Sequence, residues 1–251
     1  MYNTNSSRNV YFYEKSFYKF VLVIETDMPN LSKQENILKV VIEELGELCF
    51  LPEKALVLPE HKALLLADPH FGKAGHFRKA GVPISELLHD EDLSRISKLI
   101  VDSQAESVYF LGDLFHSDLN ESWWAIEAFI DQFSETNFHL IKGNHDILPP
   151  ACYQSGKWEI HEEPLTLGVY LLSHEPLEDF PRDKINICGH IHPGISLRGK
   201  GRQKVTLPCF FYSERRLIMP AFGRFTGLVA MPCTKSDQAY VIADEKVIRV
   251  N

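Results

Sequence analysis

The chain has 251 residues, 45% of them hydrophobic and 24% charged, a length and balance that suit one large globular domain. No apolar run approaches the roughly 18 residues of a membrane span, and Met1 to Asn9 is polar without the apolar core of a secretion signal, so a cytoplasmic protein with no membrane partner is expected. The net charge of −8 taken alone argues against nucleic acid, and five scattered cysteines without a Cys-x-x-Cys pair argue against a thiolate zinc or redox centre and for buried, reduced thiols.

Residues 1–27 are aromatic and mixed, with no period that matches the rest of the chain. Residues 1–39 are read as an N-terminal extension whose part before Met28 is dispensable, and residues 40–251 as the domain. Val40 to Phe50 reads as a first strand. Short runs rich in Leu, Ile, Val and aromatics come next at Ala63 to Ala67, Ser107 to Leu111 and Phe138 to Ile141, each bounded by Gly or Asp as buried strands are. Between them Leu93, Ile96, Leu99 and Ile100, then Ile126, Phe129, Ile130 and Phe133, recur at helical spacing. Strand, helix, strand, helix, strand predicts parallel pairing with right-handed crossovers. After Trp158 the pattern turns to short strands, including Val169 to Leu172 and Lys184 to Cys188, with no convincing helix. That predicts a second, largely antiparallel sheet packed on the first. The glycine-rich stretch Gly194 to Gly201 has no helix after it to receive an anion and reads as a hairpin loop.

Charge is unevenly spread. Ser196 to Arg224 holds seven basic residues against Glu214 alone, and Phe71 to Ile84 holds Lys73, Arg78 and Lys79 with no acid. Such asymmetry fits a basic surface that attracts a polyanion, or equally a solvated face of paired charges.

Five polar motifs each follow an apolar run: Asp68-Pro69-His70, Gly112-Asp113-Leu114-Phe115-His116, Gly143-Asn144-His145-Asp146, Ser173-His174 and Gly189-His190-Ile191-His192. Singly, Asp-x-His is usually a turn, and a lone His174 would be a core or surface histidine. Gly-Asn-His-Asp and Gly-His-x-His say more, because a glycine turn that aims two polar side chains into one crevice has little structural use. Each motif lies past the carboxyl end of a strand, where α/β sheets place their binding crevice. Imidazole, carboxylate and amide donors without thiolate suit manganese, iron or zinc.

The ordered set resembles the calcineurin-like metallophosphoesterase superfamily. The resemblance implies a single-domain α/β fold, a four-layer αββα metallophosphoesterase sandwich, holding two divalent metal ions, manganese first, with iron, zinc or magnesium as alternatives. It implies Asp68, His70, Asp113 and His192 around one ion and Asp113, Asn144, His174 and His190 around the other, with Asp113 bridging and a hydroxide between the ions as nucleophile. His145 is then the residue that touches the phosphate and protonates the leaving group, with Asp146 orienting its ring. Gly112 to His116 also resembles the second motif of SbcD-type DNA nucleases, whose histidine at the position of His116 lies near the scissile diester; His116 could equally orient a ligand.

A narrower likeness, in Asp68 to Lys79, Leu111 to Asn120, Gly189 to Arg202 and Pro220 to Gly227, is to the bacterial ligase-associated DNA damage response endonucleases called PdeM. It implies a DNA endonuclease of DNA repair that acts with a DNA ligase and a DEXH-box helicase. Lys73, Arg78, Arg198 and Arg224 are candidates to hold substrate phosphates, since ammonium and guanidinium groups pair with phosphate oxygens; for Arg224 a structural ion pair is the alternative. Two rival readings stay open: a phosphodiesterase or phosphatase for small nucleotides, and a non-catalytic interaction scaffold of the same fold. Oligomeric state has no signal in the sequence.

Overall fold

The computed structural model describes residues 21–22, 38–42, 46–72, 87–115, 121–154, 156–199, 201, 203–224 and 226–250. Five strands open the first sheet in chain order: β1 (Val21–Leu22), β2 (Leu38–Ile42), β3 (Gly46–Leu51), β4 (Ala55–Leu58) and β5 (Ala63–Ala67), each antiparallel to the one before. The single strand expected over Val40 to Phe50 is thus parts of two, β2 and β3, paired with each other. Three parallel strands continue the sheet, β6 (Ser107–Leu111), β7 (Asn137–Ile141) and β8 (Glu159–His161). Parallel neighbours require long crossovers, and α1 (Leu87–Ser103) and α2 (Glu121–Ile130) lie in the first two of these. The change of pattern after Trp158 points β8 to the second sheet; its pairing with β7 assigns it to the first.

Register decides where the motifs emerge. Ala67 lies opposite Leu111, and Leu111 opposite Ile141, so β5, β6 and β7 stop level with one another. Strand spacing of about 4.8 Å then delivers Asp68, Asp113 and the Gly143 turn side by side along one edge.

The second sheet contains β9 (Leu165–Leu167), β10 (Tyr170–Leu172), β11 (Ile185–Cys188), β12 (Pro193–Arg198), β13 (Lys204–Ser213), β14 (Arg216–Ile218), β15 (Val229–Ala230), β16 (Gln238–Ala243) and β17 (Lys246–Arg249). It is largely antiparallel, as anticipated, but β10, β11 and β14 run parallel and again end nearly level, Leu172 opposite Ile187 and Cys188 opposite Ile218. The Gly194 to Gly201 stretch is mostly the strand β12, opposed to β13, with the hairpin turn after Arg198.

Alternation along the strands sorts the core into layers. On the outer face of the first sheet, Leu64, Leu66, Val108, Phe110, Phe138 and Leu140 pack against Ile96, Leu99 and Ile100 of α1 and Trp123, Ile126 and Phe129 of α2. The opposite face presents Phe50, Leu65, Leu111 and Ile141 to Ile187, Phe210, Leu217 and Tyr240 of the second sheet. Phe50 sits with its ring centroid 4.6 Å from Phe210 and 4.7 Å from Tyr240; each such buried side chain contributes about 1.5–3 kcal/mol. A smaller cluster, Ile195, Cys209, Phe211 and Val241 with Leu207 and Met231 against it, covers the far side of the second sheet. Cys49, Cys188 and Cys209 are buried thiols as expected, whereas Cys233 is exposed. Among the described residues no helix is long and apolar enough to cross a membrane.

The two sheets are stitched at their carboxyl ends. After β14 the chain crosses over, and the Phe222 and Gly223 N–H groups donate to the carbonyls of Ala67 (2.8 Å) and Asp68 (3.2 Å).

Candidate metal centre

At that stitched edge the motifs converge. Donor atoms of Asp68, His70 and His192 lie within 4.8 Å of one another, and so do those of Asp113, His174 and His190. Asp113 faces both groups: Oδ2 is 3.7 Å from His70 Nε2, and Oδ1 is 3.4 Å from His174 Nε2. A carboxylate with one oxygen turned to each side is the geometry of a bridge.

The protonation pattern tells what these groups are for. His174 Nδ1 lies 3.1 Å from the Leu111 carbonyl, which only accepts, so Nδ1 carries a hydrogen and Nε2 is the ring atom left to bind a metal through its lone pair in the neutral ring. That lone pair faces Asn144 Oδ1 at 2.9 Å, His190 Nδ1 at 3.0 Å and the Asp113 carboxylate. The amide oxygen and the carboxylate only accept, and such a lone pair held against them is repelled unless a cation sits among them. On the other side Asp68 spends Oδ2 on the His190 N–H at 2.9 Å, while its Oδ1 and His192 Nε2, 3.6 Å apart, are buried without a hydrogen bond. Buried polar atoms are rarely left so. The donors present therefore fit two divalent ions.

Backbone conformation adds to the case. Asp68 (φ 50°), His70 (50°), Asp113 (49°), His190 (66°) and His192 (52°) all adopt the left-handed region, which costs a non-glycine residue about 1–2 kcal/mol. Strain of this kind gathers at functional sites. Two glycines make room for the donors. A Cβ on Gly112, itself at φ 72°, would lie 2.2 Å from His174 Nδ1, and one on Gly189 would lie 2.5 Å from Asp68 Oδ2.

His145 is exposed beside the two groups. Its main-chain N–H donates to Asp113 Oδ1 at 2.9 Å, and its ring stands edge-on to His70 with centroids 5.6 Å apart. Asp146 is buried and accepts from the N–H groups of Gly143 (2.9 Å) and Phe115 (3.2 Å), tying the Gly-Asn-His-Asp turn to the loop after β6. Burial pushes its carboxyl up to about 6, against the pull of those two N–H groups.

Of the candidates for phosphate contact, Lys73, Arg78 and His116 lie outside the described residues. Arg198 is exposed at the far end of β12, opposite Lys204; six strand residues at about 3.3 Å each put it roughly 20 Å beyond His192. Arg224 faces α1, where its guanidinium pairs with Glu91 and, through Nε at 3.3 Å, with Asp92. That is the ion-pair alternative. Three supporting groups escape a reading for ligands. Glu163 accepts from the His174 N–H and, at 3.2 Å, from that of Glu175. Asn186, fully buried, binds Ser173 Oγ at 2.8 Å and the Leu171 carbonyl at 3.0 Å, fixing the turn that presents His174. The Leu111 carbonyl sets the His174 tautomer. An amide inside the apolar run Ile185 to Cys188 is the one visible signal; nothing in sequence marks Glu163.

Residues 61–183 match the family model described as calcineurin-like phosphoesterase. Among solved structures, the Pseudomonas putida nuclease MPE is similar at 27% identity, covering 86% of this chain and 100% of that one, with a TM-score of 0.70. The phosphoesterase YfcE of E. coli matches at 12% identity over 75% of this chain and 97% of its own (TM-score 0.41), and an uncharacterised protein of Streptococcus pneumoniae at 12% over 75% and 95% (TM-score 0.30). Comparison with curated proteins gives no match.

Proposed function

Because the chain carries a calcineurin-like phosphoesterase domain, we propose that it is a two-metal phosphodiesterase acting on DNA. The observation that carries this reading is Asp113, whose two carboxylate oxygens face separate sets of donors. A pair of divalent ions there, when bound, neutralises charge on the phosphoryl oxygens and makes a water acidic enough to attack at neutral pH.

The chain's own groups do the rest. Asp68, His70 and His192 would hold one ion, and Asn144, His174 and His190 the other, with Asp113 common to both. His174 is kept as a lone-pair donor by the Leu111 carbonyl. His145, exposed and anchored through its main chain to Asp113, is placed to touch the phosphate and give a proton to the departing oxygen. Asp146, whose two oxygens accept from the Gly143 and Phe115 N–H groups and not from the His145 ring that it was expected to orient, would serve it by holding the turn that carries it and Asn144. Lys73, Arg78 and His116 are assigned to the phosphates next to the scissile bond, and Arg198 to one farther along the strand.

DNA as substrate is supported by the likeness to a nuclease along that protein's full length and by the PdeM-like blocks. The finer reading is a manganese-dependent endonuclease of cytoplasmic DNA repair, working beside a ligase and a DEXH-box helicase. With Mn²⁺ added, the protein is compared on single-stranded, nicked and duplex DNA, a phosphomonoester and bis(4-nitrophenyl) phosphate. Chelator-sensitive cleavage of single-stranded or nicked DNA and of the bis-ester is expected. Turnover of monoesters or small nucleotides with all three DNAs intact would overturn the assignment.

A further inference from the structure

A third group of side chains with the donor types that could hold a metal ion, His139, Glu159 and His161, shares no residue with this centre. His139 on β7 is the register partner of Glu159 on β8, and His161 comes two residues later opposite Ile141. Period-two alternation therefore puts all three side chains on one face of the sheet. It is the face that turns Tyr109 and Ile141 toward the second sheet, but β8 is the last strand of the first sheet, and the Glu159 side chain is 66% exposed. An ion can reach it from solvent.

The donor triangle has the right size. His139 Nδ1 is 3.1 Å from His161 Nε2 and 3.3 Å from Glu159 Oε2, and His161 Nε2 is 3.8 Å from the same oxygen. Zinc–nitrogen and zinc–oxygen bonds of about 2.0–2.1 Å at tetrahedral angles separate the donors by about 3.3 Å. The ring of His139 is held in plane by stacking on Tyr109, centroids 4.4 Å apart and 8° from parallel. Burial keeps its imidazole below the ordinary histidine range, which favours the neutral form that a metal needs. In this arrangement one N–H is shared between the two imidazoles; a bound cation would replace that hydrogen, since metal binding takes neutral imidazole lone pairs and releases protons.

We infer that His139, Glu159 and His161 form a separate binding site for a zinc-like divalent cation, which clamps the edge strand β8 to β7. Two imidazoles and one carboxylate suit zinc, and manganese binds most weakly of the first-row series to such a set. The clamp would brace β7 just before its carboxyl end, which leads into the turn of Asn144 and His145.

Zn²⁺ is titrated into the Mn²⁺-loaded protein and into Glu159→Gln and His161→Gln variants, and zinc per chain is counted after desalting. Because every protein carries the same Asp113 centre, the difference between them does not depend on how many ions that centre holds or what it hydrolyses. One more zinc per chain in the parent than in either variant is expected, with a zinc-dependent rise in unfolding temperature that both variants lack. Glu159 is largely exposed, so its variant keeps the test open even if His161→Gln misfolds, with far-UV circular dichroism as the check. Equal zinc counts in parent and Glu159→Gln protein would overturn the inference.

Discussion

Gly112→Ala tests how tightly the second donor group is built. Alanine at φ 72° costs about 1–2 kcal/mol, partly offset by about 0.4–1 kcal/mol from its smaller freedom in the unfolded chain. The larger effect is steric. The new Cβ would stand 2.2 Å from His174 Nδ1, 2.4 Å from Cγ and 2.7 Å from Cβ, far inside the 3.4 Å of ordinary contact. Relief requires the ring to move by about 1 Å, at about 1–3 kcal/mol of overpacking, and gives up the hydrogen bond to Leu111, worth about 0.5–1.5 kcal/mol. The net is a loss of about 4 kcal/mol, or roughly 8–16 °C in unfolding temperature for a domain of this size. A ring displaced by about 1 Å also lowers turnover by about 100-fold. Thermal unfolding, metal analysis and hydrolysis of bis(4-nitrophenyl) phosphate measure the three effects, and the ion nearer His174 should be lost first. Two tightly held ions and turnover within a few-fold of the parent would refute the reasoning, because His174 could not then be both packed on Gly112 and needed for binding.

Asp113→Asn keeps a residue that tolerates the left-handed backbone but removes the charge facing both donor groups, so metal analysis should find both ions depleted; two retained ions would reject the bridge. His145→Ala should slow DNA cleavage by about 100- to 10,000-fold with metal content unchanged, and unaltered turnover would remove its assigned role. Lys54 carries the clearest pH signature away from the centre: burial, aided by repulsion from Arg95, lowers its ammonium from 10.5 to about 8. Between those values the unfolded chain binds more protons, so stability is full above about 10.5, falls as pH drops toward 8, and stays reduced below that by about 3 kcal/mol. Lys54→Met should therefore stabilise the protein by about 2–3 kcal/mol in urea at pH 7 and by much less near pH 10; an equal gain at both pH values would exclude the buried ammonium as its source.

Strands β5, β6 and β7 were legible because each is an apolar run cut off by Gly or Asp, and their donors because they sit at those cuts or within three residues of them. Ala63 to Ala67 and Ser107 to Leu111 read from sequence as they stand in the fold. Other boundaries carried no such mark. Val40 to Phe50 is continuous enough in apolar residues to read as one strand, and β8 has three residues, too few to show which sheet they join. Charge was legible only as a count. Of the seven basic residues from Ser196 to Arg224, Arg215 donates to the Pro181 and Lys184 carbonyls, Arg216 to those of Leu177 and Glu178, and Arg224 is taken up by α1. A clustered charge acts on a ligand only where the fold has not already given it a neighbour.

The left-handed turns at Asp68, His70, Asp113, His190 and His192 also limit how this centre can be altered. Aspartate, asparagine, histidine and glycine tolerate such a backbone, while β-branched and bulky side chains do not. A β-branched side chain substituted there would strain the turn before any question of coordination arose. Retuning the centre toward another metal should therefore proceed through the groups that hold the turns, Asp146, Glu163 and Asn186, which can change the aim of a donor without changing the donor.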